Sequence, residues 1–274
     1  MIELPEAITL GRQLNDALSG KTITDVFNSN SPHRFTFFYA DPLAYSTLLT
    51  GKKILSAIGF GIFVDIVLED NIRISLNDGV NLQYSRDASK IPAKYQLLIT
   101  FDDESFLAFT VAMYGLIAAY QGACDNKYYT KSIESISPLS DAFDMLYFER
   151  LIQKETKDIS VKALLATEQR IPGIGNGVLQ DILFHASIHP KRKISTLNTQ
   201  EKENLFQSIK TTLRAMTEAG GRDTEKTLAG WGAYETRMSK KTYGSPCPKC
   251  QGEIVKENYM GGTVYYCLNC QPLK

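Results

Sequence analysis

The last 28 residues hold four of the five cysteines, as Cys247-Pro-Lys-Cys250 and Cys267-Leu-Asn-Cys270 with sixteen residues between the pairs. Each C-x₂-C knuckle presents two thiolates on one tight turn, and two knuckles complete the tetrahedron that Zn²⁺ prefers. Four thiolates leave no open coordination position, so the spacing predicts one structural zinc ion rather than a catalytic one. Residues 252–256 and 263–266 read as the two strands of a ribbon turning near Met260-Gly261-Gly262. A module this small has too little core to order itself, so metal binding must supply its folding free energy. Cys124 stands alone.

A second chemistry-bearing stretch is Ile171-Pro-Gly-Ile-Gly-Asn-Gly177, which interrupts two apolar helical patterns. Gly173 and Gly175 allow a close backbone approach, and the start of the next helix offers N–H groups where a phosphate can sit. Asn176 adds an amide donor there. Two readings stay open: a clamp on a DNA backbone through Gly173, Gly175 and Asn176, or a plain tight turn with Asn176 as N-cap. The stretch is not a dinucleotide fingerprint, because the third glycine comes too early and no strand precedes it. The three histidines, His33, His185 and His189, have no partner spacing for a metal or nucleophile site and read as structural.

The elements that must carry these groups change character along the chain. Residues 5–18 predict a helix, with Pro5 at its start, apolar positions at Ala7, Leu10, Leu14 and Leu18, and Ser19-Gly20 as its stop. From about residue 21 to 120, short β-branched and aromatic runs at 34–39, 63–68, 72–76, 97–101 and 106–111 predict antiparallel strands, with 102–105 as a hairpin connection. Beyond 125 the period becomes helical, at 141–154, 161–166, 178–186 and 200–219. The predicted class is α+β: an N-terminal helix with an antiparallel β-sandwich (1–125), a helical domain (126–240) and a zinc ribbon (241–274). Thirty basic and thirty acidic side chains cancel. Duplex affinity draws largely on Lys and Arg, so a DNA binder with this balance must segregate its charge or bind weakly. No apolar run approaches the roughly 20 residues of a membrane span, and the N-terminus lacks a basic-then-apolar leader, which predicts a cytoplasmic protein.

Several stretches, in order along the whole chain, resemble the formamidopyrimidine-DNA glycosylase/endonuclease VIII family. Met1-Ile-Glu-Leu-Pro-Glu-Ala7 resembles the family's Met-Pro-Glu-Leu-Pro-Glu-Val start, and Pro138-Leu139-Ser140-Asp141 the linker entering its helical domain. Gln169–Asn176, continued by Asp181-Ile-Leu-Phe-His-Ala-Ser-Ile-His-Pro190, resembles its helix-two-turns-helix signature, and the cysteine ribbon its zinc finger. The resemblance implies a monomer that grips damaged or abasic duplex DNA. It also implies an N-terminal proline amine that attacks the sugar C1′ to form a Schiff base, with the following Glu moving protons. Inserted side chains fill the gap left by a flipped nucleotide.

Glu3 and Glu6 match the family's glutamates and Asn176 its phosphate-contacting Asn, while Ile2 stands where the nucleophilic proline belongs. A bulky Ile also hinders removal of Met1, and a Met1 amine would sit roughly 3.8 Å from the expected place. A misplacement of about 1 Å costs on the order of 10²-fold in rate. By the same alignment Ile62 replaces a Lys, Asp78 the inserted Met, Ala112 and Met113 two arginines, and Gly262 the arginine of the ribbon turn. Three functions follow: a DNA-binding protein with base excision and abasic-site cleavage weakened or lost; an active glycosylase/lyase using the primary amine of Ile2 or Met1; or a scaffold binding another ligand or protein.

Overall fold

The computed structural model describes residues 2–274. The expected Met1 amine therefore lies outside the described residues. A 15-residue helix, α1 (Leu4–Leu18), opens the chain. It is followed by β1 (Ile23–Asn28), β2 (Thr36–Tyr39), a short α2 (Tyr45–Leu49), β3 (Ile54–Phe60), β4 (Phe63–Leu68), β5 (Ile72–Asn77), β6 (Val80–Ser85), β7 (Leu97–Phe101), β8 (Phe106–Val111) and β9 (Gly115–Gln121). The helical part comprises α3 (Lys127–Glu134), α4 (Met145–Gln153), α5 (Val161–Ala166), α6 (Val178–Ala186) and α7 (Thr199–Glu218). Two short strands, β10 (Lys226–Thr227) and β11 (Gly230–Trp231), precede the ribbon strands β12 (Ile254–Tyr259) and β13 (Gly262–Cys267).

The chain divides into two compact units. The first runs to Thr130 and includes Glu225–Trp231; the second holds Lys131–Thr224 and Gly232–Lys274. In the first, sheets of order β1-β7-β8-β6 and β2-β9-β5-β4-β3 enclose one core. Inward residues of both sheets, among them Val64, Ile66, Ile74, Leu97, Ile99, Leu107 and Phe109, are buried together with Leu10, Leu14 and Leu18 of α1. The pairing is antiparallel except at one place, where β2 runs parallel to β9. The expected hairpin at 102–105 does join β7 to β8.

α1 lies on β3 with backbone against backbone. A Cβ at Gly11 would fall 2.3 Å from the Gly59 nitrogen, and one at Gly59 would fall 1.8 Å from the Ala7 carbonyl oxygen. Only hydrogen fits at either position. The outer side of the larger sheet carries a buried polar knot. Asp65 accepts from Ser75 Oγ at 2.5 Å, Tyr129 Oη at 2.6 Å and Arg73 Nη1 at 3.2 Å. Burial pushes the Asp65 carboxyl up, against the pull of these donors. Tyr129, also packed among Phe60, Phe63 and Tyr120, pins the start of α3 to the sheet.

In the second unit, helix starts are set by side-chain caps. Asp144 accepts from Tyr147 N, Ser160 from Ala163 N, and Asn198 forms a capping box with Glu201. The Asp144 cap explains why α4 begins at Met145 and not at the expected 141. α6 is buried along nearly its whole length and packs on α7. No helix among the described residues is long and apolar enough to cross a membrane.

The α1–β3 contact generates a direct expectation. Gly59→Ala should lower stability by about 2 kcal/mol or more, the range of overpacked core sites, as a fall in thermal midpoint. An unchanged midpoint would contradict the close packing.

Candidate functional site

The start of α1 places Ile2, Glu3 and Glu6. Glu3 is the N-cap: its carboxylate accepts from the Glu6 backbone N–H, and the Glu6 carboxylate accepts from Glu3 N at 3.3 Å. Each is 1% exposed. Buried carboxylates need such donors, since unsatisfied they would cost several kcal/mol. Ile2 is 5% exposed and its side chain joins the sandwich core. The residue at the expected nucleophile position is thus a core residue.

Two turns of the same unit stand near this helix start. Asp78, at φ +31°, lies between β5 and β6, and Ala112-Met113-Tyr114 lies between β8 and β9. The turns are locked together: a Cβ at Gly79 would fall 2.1 Å from the Tyr114 carbonyl oxygen, and Asn77 Oδ1 accepts from Leu116 N at 3.0 Å. The Tyr114 hydroxyl donates to Asp78. Burial, this bond and the nearby Glu3 charge push the phenol up to about 12. Burial likewise raises the Asp78 carboxyl, aided by the charge of Glu225, and Asp78 Oδ1 is buried without a hydrogen-bond partner. Glu3, Asp78 and Tyr114 therefore share one neighbourhood in which protons can be held. Sequence reasoning treated Asp78 only as a substitution and overlooked Tyr114 and Glu225. Tyr114, an aromatic between Met113 and Gly115 in a turn, was the available signal.

The other expected cation positions are apolar in their surroundings. Ile62 packs against the Phe63–Tyr129 cluster. Ala112 and Met113 are exposed at the turn.

In the second unit, the glycine-bearing loop between α5 and α6 contains left-handed residues Glu168, Gln169 and Gly173. Gln169 Oε1 accepts from Gly173 N at 3.1 Å. The Arg170 guanidinium pairs with Glu155 at 2.6 and 3.1 Å, and donates to the Ala163 and Thr167 carbonyls. Asn176 does not cap α6, because Gly177 is the N-cap. Asn176 Nδ2 donates instead to the Thr263 carbonyl at 2.7 Å, which also accepts from Gln180 Nε2 at 2.8 Å, while Gln180 Oε1 accepts from Tyr265 N at 3.0 Å. Gly262, one residue earlier on the ribbon, lies under the Asn176 amide: a Cβ there would fall 3.1 Å from it. Gly173 and Gly175 lie in the same loop, Gly173 buried and Gly175 half-buried.

The ribbon strands pair from Ile254↔Cys267 to Tyr259↔Gly262, one and two residues longer than expected, with the first strand shifted toward the turn. The four sulfurs lie within 4.8 Å of one another, with Cys247–Cys270 at 3.8 Å and Cys250–Cys267 at 3.5 Å. A tetrahedral ion with bonds of about 2.3 Å to sulfur sets sulfurs about 3.8 Å apart, so the thiols fit a metal ion. Gly252 N–H points at Cys250 Sγ at 3.4 Å and helps draw that thiol down to about 7.

A β-sandwich unit opened by a capped helix, and a helical unit ended by a four-thiol ribbon, define a recognisable class. The Formamidopyrimidine-DNA glycosylase H2TH domain model matches residues 135–227. Formamidopyrimidine-DNA glycosylases of Shouchella clausii (strain KSM-K16) and Cytobacillus firmus are 29% and 27% identical, over 99% of this chain and 99% and 100% of theirs. The fold is that of MutM (Fpg) from Thermus thermophilus, with TM-score 0.82, 23% identity and 99% of each chain covered. It is also that of the Lactococcus lactis Fpg complexed with abasic-site DNA, with TM-score 0.84, 22% identity, and 98% and 99% covered. Residues 135–227 are thus those of a formamidopyrimidine-DNA glycosylase H2TH domain, and along its whole length the chain is similar to formamidopyrimidine-DNA glycosylases.

The thiol geometry predicts one divalent ion per chain. Cobalt substitution should give the intense visible bands of a tetrahedral thiolate site, and Cys267→Ser should abolish stoichiometric binding. Four freely reactive thiols in the purified chain, with no bound metal, would contradict this.

Proposed function

We propose that this protein binds duplex DNA, damaged or abasic, and that base excision and abasic-site cleavage are weakened or lost. The observation that carries this reading is Ile2: a side chain buried in the sandwich core occupies the position of the family's nucleophilic proline. The missing cations at Ile62, Ala112, Met113 and Gly262 agree with it, since each removes a phosphate contact. DNA would be held through the loop of Gly173, Gly175 and Asn176, with the ribbon kept in shape by one zinc ion on Cys247, Cys250, Cys267 and Cys270. Bound there, zinc supplies structure only, because four thiolates leave no position for a substrate.

One observation favours a second reading. Glu3 sits buried beside Asp78 and Tyr114, where protons can be exchanged during amine chemistry. In that reading a primary N-terminal amine adds to the aldehyde carbon C1′ of an abasic sugar, loses water and leaves an imine. Glu3 moves the protons.

Borohydride separates the two, because it reduces an imine to a stable secondary amine. With abasic duplex at concentrations where binding is measured, the first reading expects no covalent adduct. Its binding should carry a shallow logarithmic salt slope, about −2 to −4, from a small number of phosphates. An adduct lost on Glu3→Gln establishes the amine reading instead. Absence of both binding and adduct leaves the scaffold.

A further inference from the structure

The outer face of the larger sheet is only half covered. Where α3 crosses, Tyr129 packs over Phe63 and Tyr120. Beyond it, an open hollow of about 590 Å³ is lined by His33, Phe35, Phe37, Ala112, Met113 and Tyr114. Phe35, Phe37 and Met113 are 48%, 55% and 61% exposed. Single exposed apolar side chains are ordinary; a contiguous group marks a contact surface.

Three features specify the occupant. Phe37 lies on the edge strand β2 and Phe35 in the turn that leads into it, and both side chains line the same hollow. Two exposed rings on one open surface offer their faces to bases free of a stack, as those of a single strand are. The second feature is charge. The Arg34 guanidinium lies over the Phe35 ring at 5.3 Å, and no carboxylate among the described residues pairs with it. A cation held on an aromatic face beside an apolar hollow is complementary to a phosphate flanked by bases. The third is rigidity: Gly115 N donates to the Phe35 carbonyl at 3.1 Å, and His33 meets the Phe35 ring edge-on at 6.2 Å, so the platform is formed in advance.

We propose that this hollow is a stacking platform for unpaired bases of a single-stranded DNA segment, with Arg34 receiving the intervening phosphate. The site takes single strands without reading sequence, because every base offers a π-face. It lies on the β-sandwich unit alone and needs none of the residues of the α5–α6 loop. The inference rests on the proposed DNA-binding function, since it adds an unpaired strand to the duplex already assigned.

The experiment compares fluorescence anisotropy of a labelled ten-nucleotide strand with that of the same strand in duplex, using the full metal-bound chain. Phe37→Ala should weaken single-strand binding about 10-fold, and Phe35→Ala with Phe37→Ala about 100-fold. Phe37→Trp should restore affinity, because it returns a stacking face. Arg34→Gln should reduce the single-strand salt slope by about 0.7, one phosphate. Duplex affinity should stay within about 2-fold in every variant, as should the thermal midpoint, since these side chains are exposed. Single-strand affinity that ignores the Phe substitutions, or duplex binding without measurable single-strand binding, overturns the inference and leaves the duplex reading standing. If neither oligonucleotide binds, the DNA-binding reading itself falls and the platform with it.

Discussion

The contact between α1 and β3 governs the rest of the N-terminal unit. Gly11 and Gly59 let helix backbone touch strand backbone, and no side chain separates them. The helix therefore cannot slide or rotate on the sheet without driving Ala7 into the strand. Everything at its first turn inherits that fixity. Leu4, Ala7 and Leu10 are buried, Glu3 and Glu6 cap each other under cover, and Ile2 is drawn into the core. Residues 2–7 are in this way held as one rigid piece with the sheet.

The ribbon depends on a different balance. Its core is small: Cys247, Ile254 and Cys267 with Phe184 and Met238 of the helical part. Six cross-strand pairs close the hairpin, but a two-stranded hairpin is at best marginal alone. A metal ion on the four thiols would supply one part of the missing stability, and anchors to the helices supply the other. The Thr263 carbonyl takes two amide donors, Lys162 Nζ donates to the Tyr259 carbonyl at 2.5 Å, and Gln271 bridges Cys267 N and the Ile188 carbonyl. Lys249, inside the first knuckle, donates to the Phe184 carbonyl near the C-terminal end of α6, where a cation is favoured by the exposed carbonyls. The knuckle loop and the α6 end are thus one construction.

Legibility followed periodicity and spacing. α1, β4, β7, β8, α5 and α6 carry clean alternation, apolar runs or helical stripes, and the cysteine spacing alone located the thiol site. β3 was not visible, because Leu55, Ala57, Ile58 and Gly59 show no alternation; the strand exists to receive α1 at Gly59, a tertiary reason no local window contains. β9, Gly-Leu-Ile-Ala-Ala-Tyr-Gln, is buried on both faces and lacks a period of two, as fully enclosed strands do. Its parallel pairing with β2 depends on two distant segments meeting. Asn176 shows the same limit at the site. Its type and position fit an N-cap, but the ribbon carbonyl 87 residues away competes for its amide and wins. Tyr114 gains meaning only from Asp78 across a second turn, which sequence spacing cannot display.

The substituted cation positions differ in how far packing has absorbed them. Ile62 is half-buried against the aromatic cluster of Phe63 and Tyr129, so a Lys there would give up that apolar contact and carry its charge out to solvent. Gly262 lies beneath the Asn176 amide at a distance that already crowds a single Cβ, so an arginine must first displace the donor that holds Thr263. Ala112 and Met113, by contrast, are exposed and meet no such obstacle. At Ile62 and Gly262 a long cation would have to be accommodated against existing contacts, whereas the turn at 112–114 is exposed and would carry one at its surface.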